Sequence, residues 1–260
     1  MSELKAGTMV CLTNGRTCKV KKELGRGGQG IVYAVDYVGK DHALNWYTGS
    51  GIINSKAYYE NLNNIVNAGS PAPNFIWPLA ITERQKGGYG YVMCLRPQGY
   101  AAMGEFLLYH AQFGSVQAQL NACLQVSMAF KKLHGLGLCM HSCDPSFFYI
   151  NPVTGDVLVK YDEAMSPDDV DLHILGNNGY MAPEIVEGKA TPNVMADNHT
   201  LAICLFRLIY FNHPFEGQWY FSCPCDNNPE NAKKLFGFSS VFIMDPTDAK
   251  NRPVRGCIIM

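Results

Sequence analysis

The feature that most constrains the fold of this chain is the glycine cluster Gly25-Arg26-Gly27-Gly28-Gln29-Gly30, which lies between two segments of strand character. A short β-type run at 17–20 precedes it, and Ile31-Val32-Tyr33-Ala34-Val35 follows it with the β-branched and aromatic residues that favour strands. After a turn at 38–41, the segment 42–47 continues the pattern. These segments predict an antiparallel meander whose first hairpin carries a glycine-rich loop.

The remaining chain changes character near Gly99. Before it, the pattern predicts a helix over 55–68 with Ser55 as N-cap, then strands over 77–81 and 89–95. After it, the pattern predicts two short strands between 147 and 159 and two helices. The helix over 116–134 includes Leu120 and Leu124 among its apolar residues, and a central buried helix spans 201–210. We therefore predict a β-rich lobe over 1–97 and a mainly helical lobe over 98–260.

Composition excludes several classes of protein. The 260 residues are 47% apolar and 17% charged, as in ordinary globular domains, and the net charge of -1 favours neither nucleic acid nor an anionic membrane. The N-terminus has no apolar signal region, and no apolar run is long enough for a bilayer. The ten cysteines lack metal-site spacing, so we expect free thiols and a cytoplasmic location.

Three later motifs join the glycine loop. They are Gly179-Tyr180-Met181-Ala182-Pro183-Glu184, then Asp197 at the start of the apolar helix, and Arg252 within Lys-Asn-Arg-Pro. With Gly25-x-Gly27-x-x-Gly30-x-Val32, the chain from about 17 to 252 resembles the protein-kinase superfamily, and within it the bacterial kinases of eukaryotic type.

The resemblance implies an α+β, bilobal protein-kinase-like fold that stops after Arg252, before the last helix of the family. It also implies structural roles for three residues. Glu184 and Arg252 would form a buried ion pair, and Asp197 would hold the catalytic loop from below.

The residues that grip phosphate in the family are replaced in this chain. The lysine of the third strand maps to Asn45, whose amide has no positive charge. The partner of that lysine, a glutamate on the first helix, maps to Glu60. Glu60 could instead be an ordinary solvated residue of that helix.

The catalytic loop also departs from the family pattern. Counting back without a gap from 148–152 places Ser142 at the catalytic aspartate and Phe147 at the asparagine. A shift of two residues would bring Asp144 to the base position, with Tyr149 at the asparagine. The other reading of Asp144 is a cap for the turn at Pro145.

The metal-binding aspartate maps to Tyr161, and a phenol is a poor ligand for Mg²⁺. Asp162 would reach that position if the strand end slipped by one residue, and otherwise it is an exposed acid. The nucleotide-pocket positions of the family map to Leu24, Gly25, Gly27, Gly30, Val32, Ala43, Asn45, Met93 and Leu95.

Loss of the lysine, the base and both metal ligands predicts a pseudokinase that regulates or binds another protein, requires no cofactor and binds ATP with Mg²⁺ weakly or not at all. The alternative is an active Ser/Thr kinase with Asp144 as base and Asp162 on the metal. A third reading is an effector or scaffold anchored through Cys257, because Cys257-Ile258-Ile259-Met260 fits a farnesylation pattern.

Overall fold

The computed structural model describes residues 3–27, 30–48, 56–85, 88–140, 144–161, 165–167, 177–223 and 228–254. The chain divides into two compact units, Met1–Gln98 and Gly99–Met260. The first unit is built mainly from strands and the second mainly from helices, as an α+β fold of this class requires.

The first unit contains seven strands and one helix within its described residues. These are β1 (Met9–Cys11), β2 (Thr17–Arg26), β3 (Gly30–Tyr37), β4 (Lys40–Tyr47), α1 (Lys56–Ala68), β5 (Phe75–Ile76), β6 (Pro78–Ile81) and β7 (Tyr89–Cys94). Six of the strands form a sheet of order β1-β2-β3-β4-β7-β6 in which every neighbouring pair is antiparallel. The strand β1 was not predicted, because only Val10 of its three residues is buried.

The two faces of this sheet carry different residues. One face supplies a tightly packed cluster that includes Tyr33, Leu44, Trp46 and Val92. The other face carries the alternate positions, in two rows that run across β3, β4 and β7. Those rows are Val32, Asn45 and Tyr91, followed by Ala34, Ala43 and Met93.

The helix α1 packs through a narrow apolar stripe. Tyr58, Leu62 and Ile65 are buried at helical spacing, and the Ile65 carbonyl accepts a hydrogen bond of 3.1 Å from Trp77 Nε1. The helix was predicted over 55–68. Its expected cap, Ser55, lies outside the described residues.

The described elements of the second unit are mostly helices. They are β8 (Ala101–Ala102), α2 (Met103–Leu107), α3 (Val116–His134), β9 (Leu138–Met140), a 3-10 turn (Pro145–Phe147), β10 (Phe148–Ile150), β11 (Val157–Lys160), β12 (Met165–Pro167), α4 (Pro183–Val186), α5 (Val194–Tyr210), α6 (Gln218–Ser222) and α7 (Pro229–Phe236). β10 pairs antiparallel with both β8 and β11, and β12 pairs antiparallel with β9. No helix in the described ranges is both long and apolar enough to cross a bilayer.

Side-chain caps set the start of both long helices. Ser115 Oγ accepts from the Ala118 amide at 3.1 Å, and α3 occupies the predicted range. Asn193 Oδ1 accepts from the amides of Met195 and Ala196, so α5 begins seven residues before the predicted start at 201. The first two turns of α5 contain polar residues, and these interrupt the apolar pattern on which that prediction rested.

We predict that Gly30→Ala destabilises the chain by about 1–3 kcal/mol, because an added Cβ would overlap the backbone of the paired strand at Trp46 and Tyr47. Gly27→Ala is the matched control, since nothing lies within 4 Å of a Cβ at that position. We expect its free energy of unfolding to stay within about 0.5 kcal/mol of wild type. Urea denaturation measures both; equal stability of the two variants would contradict the role given to Gly30.

Candidate functional site

The glycine loop has two exposed glycines, Gly25 and Gly27, and one glycine, Gly30, that packs against β4. The Gly27 amide donates to the Gly30 carbonyl at 2.9 Å, which closes the hairpin between β2 and β3. A side chain at Gly25 or Gly27 would meet open space, whereas Gly30 is needed for close approach to β4. Leu24 is exposed and Val32 is half-buried. Two of the loop glycines therefore leave the backbone accessible, and the third serves the sheet.

Asn45 lies in the middle of β4, opposite Tyr91 of β7. Its Nδ2 donates to the Tyr91 hydroxyl at 3.1 Å, and the Tyr91 side chain is fully buried. Both groups are neutral at physiological pH, so this position supplies hydrogen bonds and no charge. Of the expected pocket residues that follow, Ala43 and Met93 are buried and Leu95 is half-buried.

Glu60, the predicted helix glutamate, is an exposed residue of α1 in this structure, which is the second of the two readings given above. Its side chain is 59% exposed and pairs with Lys56 at 3.3 Å, four residues earlier on the same helix. Glu60 follows the buried Tyr58 by two residues, which turns it to the opposite side of α1. An exposed pair of this kind contributes little stability.

Asp197 is a buried carboxylate of the second unit that contacts two other elements. Its Oδ2 accepts from the Met140 amide at 2.8 Å and from His134 Nε2 at 2.8 Å. The side chain is buried, and this desolvation raises its pKa, against the opposing effect of both hydrogen bonds. Met140 ends β9 just before the segment that holds Ser142, and Ser142 itself lies outside the described residues.

Asp144 caps the 3-10 turn that follows this segment. Its Oδ1 accepts from the Ser146 amide at 2.6 Å, and its carbonyl accepts from the Phe147 amide at 3.2 Å. Phe147 is buried at the end of the turn. The carboxylate therefore has a local structural role, and an apolar ring lies at the position that the gapless count assigns to the asparagine.

Tyr161 follows β11 directly and is among the largest fully buried side chains of the chain. The position to which the resemblance assigns the metal-binding aspartate therefore carries a buried phenol. Asp162, the alternative ligand, lies outside the described residues, as do Gly28, Gln29 and Cys257. Within the described ranges, no group of three or more His, Cys, Asp or Glu side chains is arranged to hold a metal ion.

The segment that precedes α4 is fixed by α5 and the loop after it. His213 Nε2 donates to the Gly179 carbonyl at 2.8 Å, while its Nδ1 accepts from the Phe215 amide at 3.1 Å. Thr200 donates to the Tyr180 carbonyl at 2.9 Å, and Arg207 donates to the Tyr180 hydroxyl. We call this set the Tyr180 clamp. The sequence does not predict this clamp, because residues so far apart in the chain give no local signal.

The predicted Glu184–Arg252 ion pair is not formed. Arg252 is exposed, Glu184 is half-buried, and no ion pair joins these two described residues. The neighbouring Asn251 occupies the buried position instead. Its side chain accepts from the amides of Gly217 and Trp219 and donates to the carbonyls of Phe215 and Val241. Four neutral hydrogen bonds thus hold this segment without the cost of desolvating an ion.

The titration of His213 should limit acid stability. Burial and the nearby Arg207 lower its pKa to about 3, so between pH 3 and 6.5 the unfolded chain binds more protons. The free energy of unfolding should therefore fall as the pH drops below 6.5, by roughly 3 kcal/mol at pH 4.5 from this residue.

The variant His213→Gln should have a flatter pH profile, because its amide can still donate to Gly179 but does not titrate. His110→Gln, at an exposed histidine, should keep the wild-type slope. Urea denaturation at a series of pH values measures these slopes. Parallel profiles for wild type and His213→Gln would show that the prediction is wrong.

Comparison with solved structures finds this arrangement among protein kinases. The structure of vaccinia related kinase 3 is 16% identical, with a TM-score of 0.62 over 91% of this chain and 76% of that chain. Two mutant forms of the Mycobacterium tuberculosis PknI kinase domain are 17% and 16% identical, with TM-scores of 0.61 and 0.60, over 82% of this chain and 80% of theirs. No protein-family model and no curated protein matches the chain. The chain therefore has the bilobal α+β fold of the protein kinases.

Proposed function

We propose that this chain is a pseudokinase, a kinase-like cytoplasmic domain that regulates or binds another protein and transfers no phosphate. The observation that carries the proposal is the Asn45–Tyr91 hydrogen bond. In an active kinase the corresponding strand position presents an ammonium group to the nucleotide phosphates. Here a neutral amide pairs with a buried phenol.

Electrostatics supports weak nucleotide binding. A triphosphate with its metal needs cationic and carboxylate partners, because phosphoryl transfer depends mainly on positioning and charge neutralisation. The amide of Asn45 offers no charge, and Glu60 pairs with Lys56 on the exposed side of α1. The open backbone at Gly25 and Gly27 could approach phosphates, but backbone dipoles alone do not neutralise several negative charges.

The catalytic-loop positions support the same proposal. Phe147 and Tyr161 are both buried, and neither side chain can hold Mg²⁺ as a carboxylate does. The carboxylate oxygen Asp144 Oδ1 already accepts a short hydrogen bond from the Ser146 amide. To act as a general base, Asp144 would have to keep its carboxylate in reach of a substrate hydroxyl while it caps this turn.

A thermal-shift titration tests nucleotide binding. A ligand present at about 100 times its dissociation constant adds ~2.7 kcal/mol, which for a chain of this length raises Tm by roughly 5–10 °C. We expect ATP with Mg²⁺ at a concentration of about 1 mM to raise Tm by less than about 1 °C, with no added effect of the metal. The same titration without Mg²⁺ is the control. A shift of several degrees that depends on the metal would overturn the expectation of weak binding.

Phosphate transfer tests catalysis directly. We expect neither the wild type nor Asn45→Lys to transfer phosphate from ATP to itself or to a generic protein substrate, because the restored lysine would still lack the base and metal ligands. Labelled ATP and mass spectrometry provide the measurement. If the wild type were active and Asp144→Asn abolished that activity without loss of fold, the chain would be an active kinase with Asp144 as its base.

A further inference from the structure

The helix α3 is apolar on two opposite faces. Its inner face is buried and consists of Ala118, Ala122, Val126, Ala129, Phe130 and Leu133. Its outer face carries Val116, Leu120, Leu124 and Met128, whose side chains are 70, 54, 57 and 46% exposed. We call these four residues the α3 ridge, because spacing of four residues aligns them in one row along the helix. Sequence patterning had grouped Leu120 and Leu124 with the core residues.

Three polar side chains of α3 bind within their own unit, and an exposed Gln117 borders the ridge. Gln119 Nε2 donates to the Leu208 carbonyl at 2.7 Å, and Asn121 Nδ2 donates to the Thr154 carbonyl at 2.8 Å. Ser127 donates to the Cys123 carbonyl at 2.9 Å on the helix itself. A surface helix normally points such groups to water and its leucines inward. A helix that is apolar on both sides is typical of one covered on both sides.

Charge is absent from most of this helix. No residue from Val116 to Phe130 is charged, and the first charges, Lys131 and Lys132, come after the ridge. An anionic membrane surface is therefore a poor match, since interfacial helices carry Lys and Arg beside their apolar face. A partner selected by charge would also find no complement here.

An apolar groove extends the ridge at the N-terminal end of α3. Its cavity has a volume of about 490 Å³ and lies between the loop before α3 and the end of α5. Val116 belongs to both the ridge and the groove, whose other walls include Tyr109, Phe113, Ile209 and Phe211. Tyr109 is 65% exposed. The ridge and groove are thus one continuous apolar surface of the second unit.

We propose that this surface joins two copies of the chain in a symmetric dimer. A two-fold interface uses the same patch on both copies, and rows of side chains spaced by four residues on two helices interdigitate in the commonest class of helix packing. From the exposed fractions, the ridge with Tyr109 and Ile209 offers on the order of 700 Å² per copy. That is close to the ~800 Å² that each partner buries in a standard interface.

The distribution of charge sets the direction of the two helices. If the two α3 helices ran parallel, Lys131 and Lys132 of both copies would lie side by side and repel. An antiparallel arrangement places these lysines at opposite ends of the interface. Leu120 and Leu124 then lie at its centre, with Val116 and Met128 towards the ends. The dimer is independent of nucleotide binding and of the proposed function.

Sedimentation velocity of the full chain over about 1–100 µM, the range of a modest protein–protein dissociation constant, tests this proposal. The wild type should change with concentration from 28.8 kDa to twice that mass. Leu124→Glu places a buried, unpaired charge at the centre of the interface and should raise the dissociation constant at least tenfold. Met195→Glu is the matched control, since Met195 is 76% exposed on α5 outside the ridge, and should dimerise as the wild type does.

A mixing experiment tests whether both copies use the same patch. The variants Leu124→Glu and Leu124→Lys should each be mainly monomeric alone. When mixed, they should form a heterodimer with a dissociation constant at least tenfold lower than that of either homodimer. Circular dichroism and Tm verify the fold of each variant, and Leu124→Ala weakens the contact without adding a charge. The proposal is overturned if the wild type stays monomeric over the whole concentration range. Binding of a monomeric wild type to neutral phosphatidylcholine vesicles would overturn it in the same way. It is also overturned if Leu124→Glu dimerises as tightly as wild type.

Discussion

The second unit depends on one buried carboxylate. Asp197 accepts from His134 at the end of α3 and from the Met140 amide at the end of β9, while it is itself part of α5. A single side chain thus joins the two central helices and the strand that leads into the catalytic segment of this fold. Burial without these donors would strongly disfavour the ionised form, so the helix ends and the strand end are held in place together. The elements around Asp197 cannot shift separately without leaving a charge or a donor unpaired.

Two other hydrogen-bond networks of the chain are formed by neutral side chains. Asn251 makes four hydrogen bonds beside Arg252, which forms no ion pair with Glu184, and Asn45 pairs with Tyr91 where the resemblance implies a lysine. A neutral network satisfies buried backbone groups at a lower desolvation cost than an ion pair. Positions that only shape the fold tolerate this exchange. Positions that must neutralise a phosphate do not, because their function is the charge itself.

The sequence predicted the fold class well, because strand alternation, glycine turns and the capped helix α3 are local signals. The parts it missed depend on distant residues. The Tyr180 clamp joins Gly179 to His213, and the polar first turns of α5 conceal a helix start that Asn193 fixes. Glu60 pairs with Lys56 and the Glu184–Arg252 ion pair is not formed, because counting places a residue along the chain but does not determine which way its side chain points.

The close approach of Gly30 to β4 has a consequence for how glycine-rich loops are interpreted. A side chain at Gly30 would overlap the backbone at Trp46 whether or not a nucleotide ever binds, whereas Gly25 and Gly27 face open space. Folding alone therefore requires glycine at position 30, whereas it places no such steric requirement on positions 25 and 27. In a glycine-rich loop of this kind, the presence of the last glycine can therefore be explained by the packing of the hairpin, without a bound phosphate.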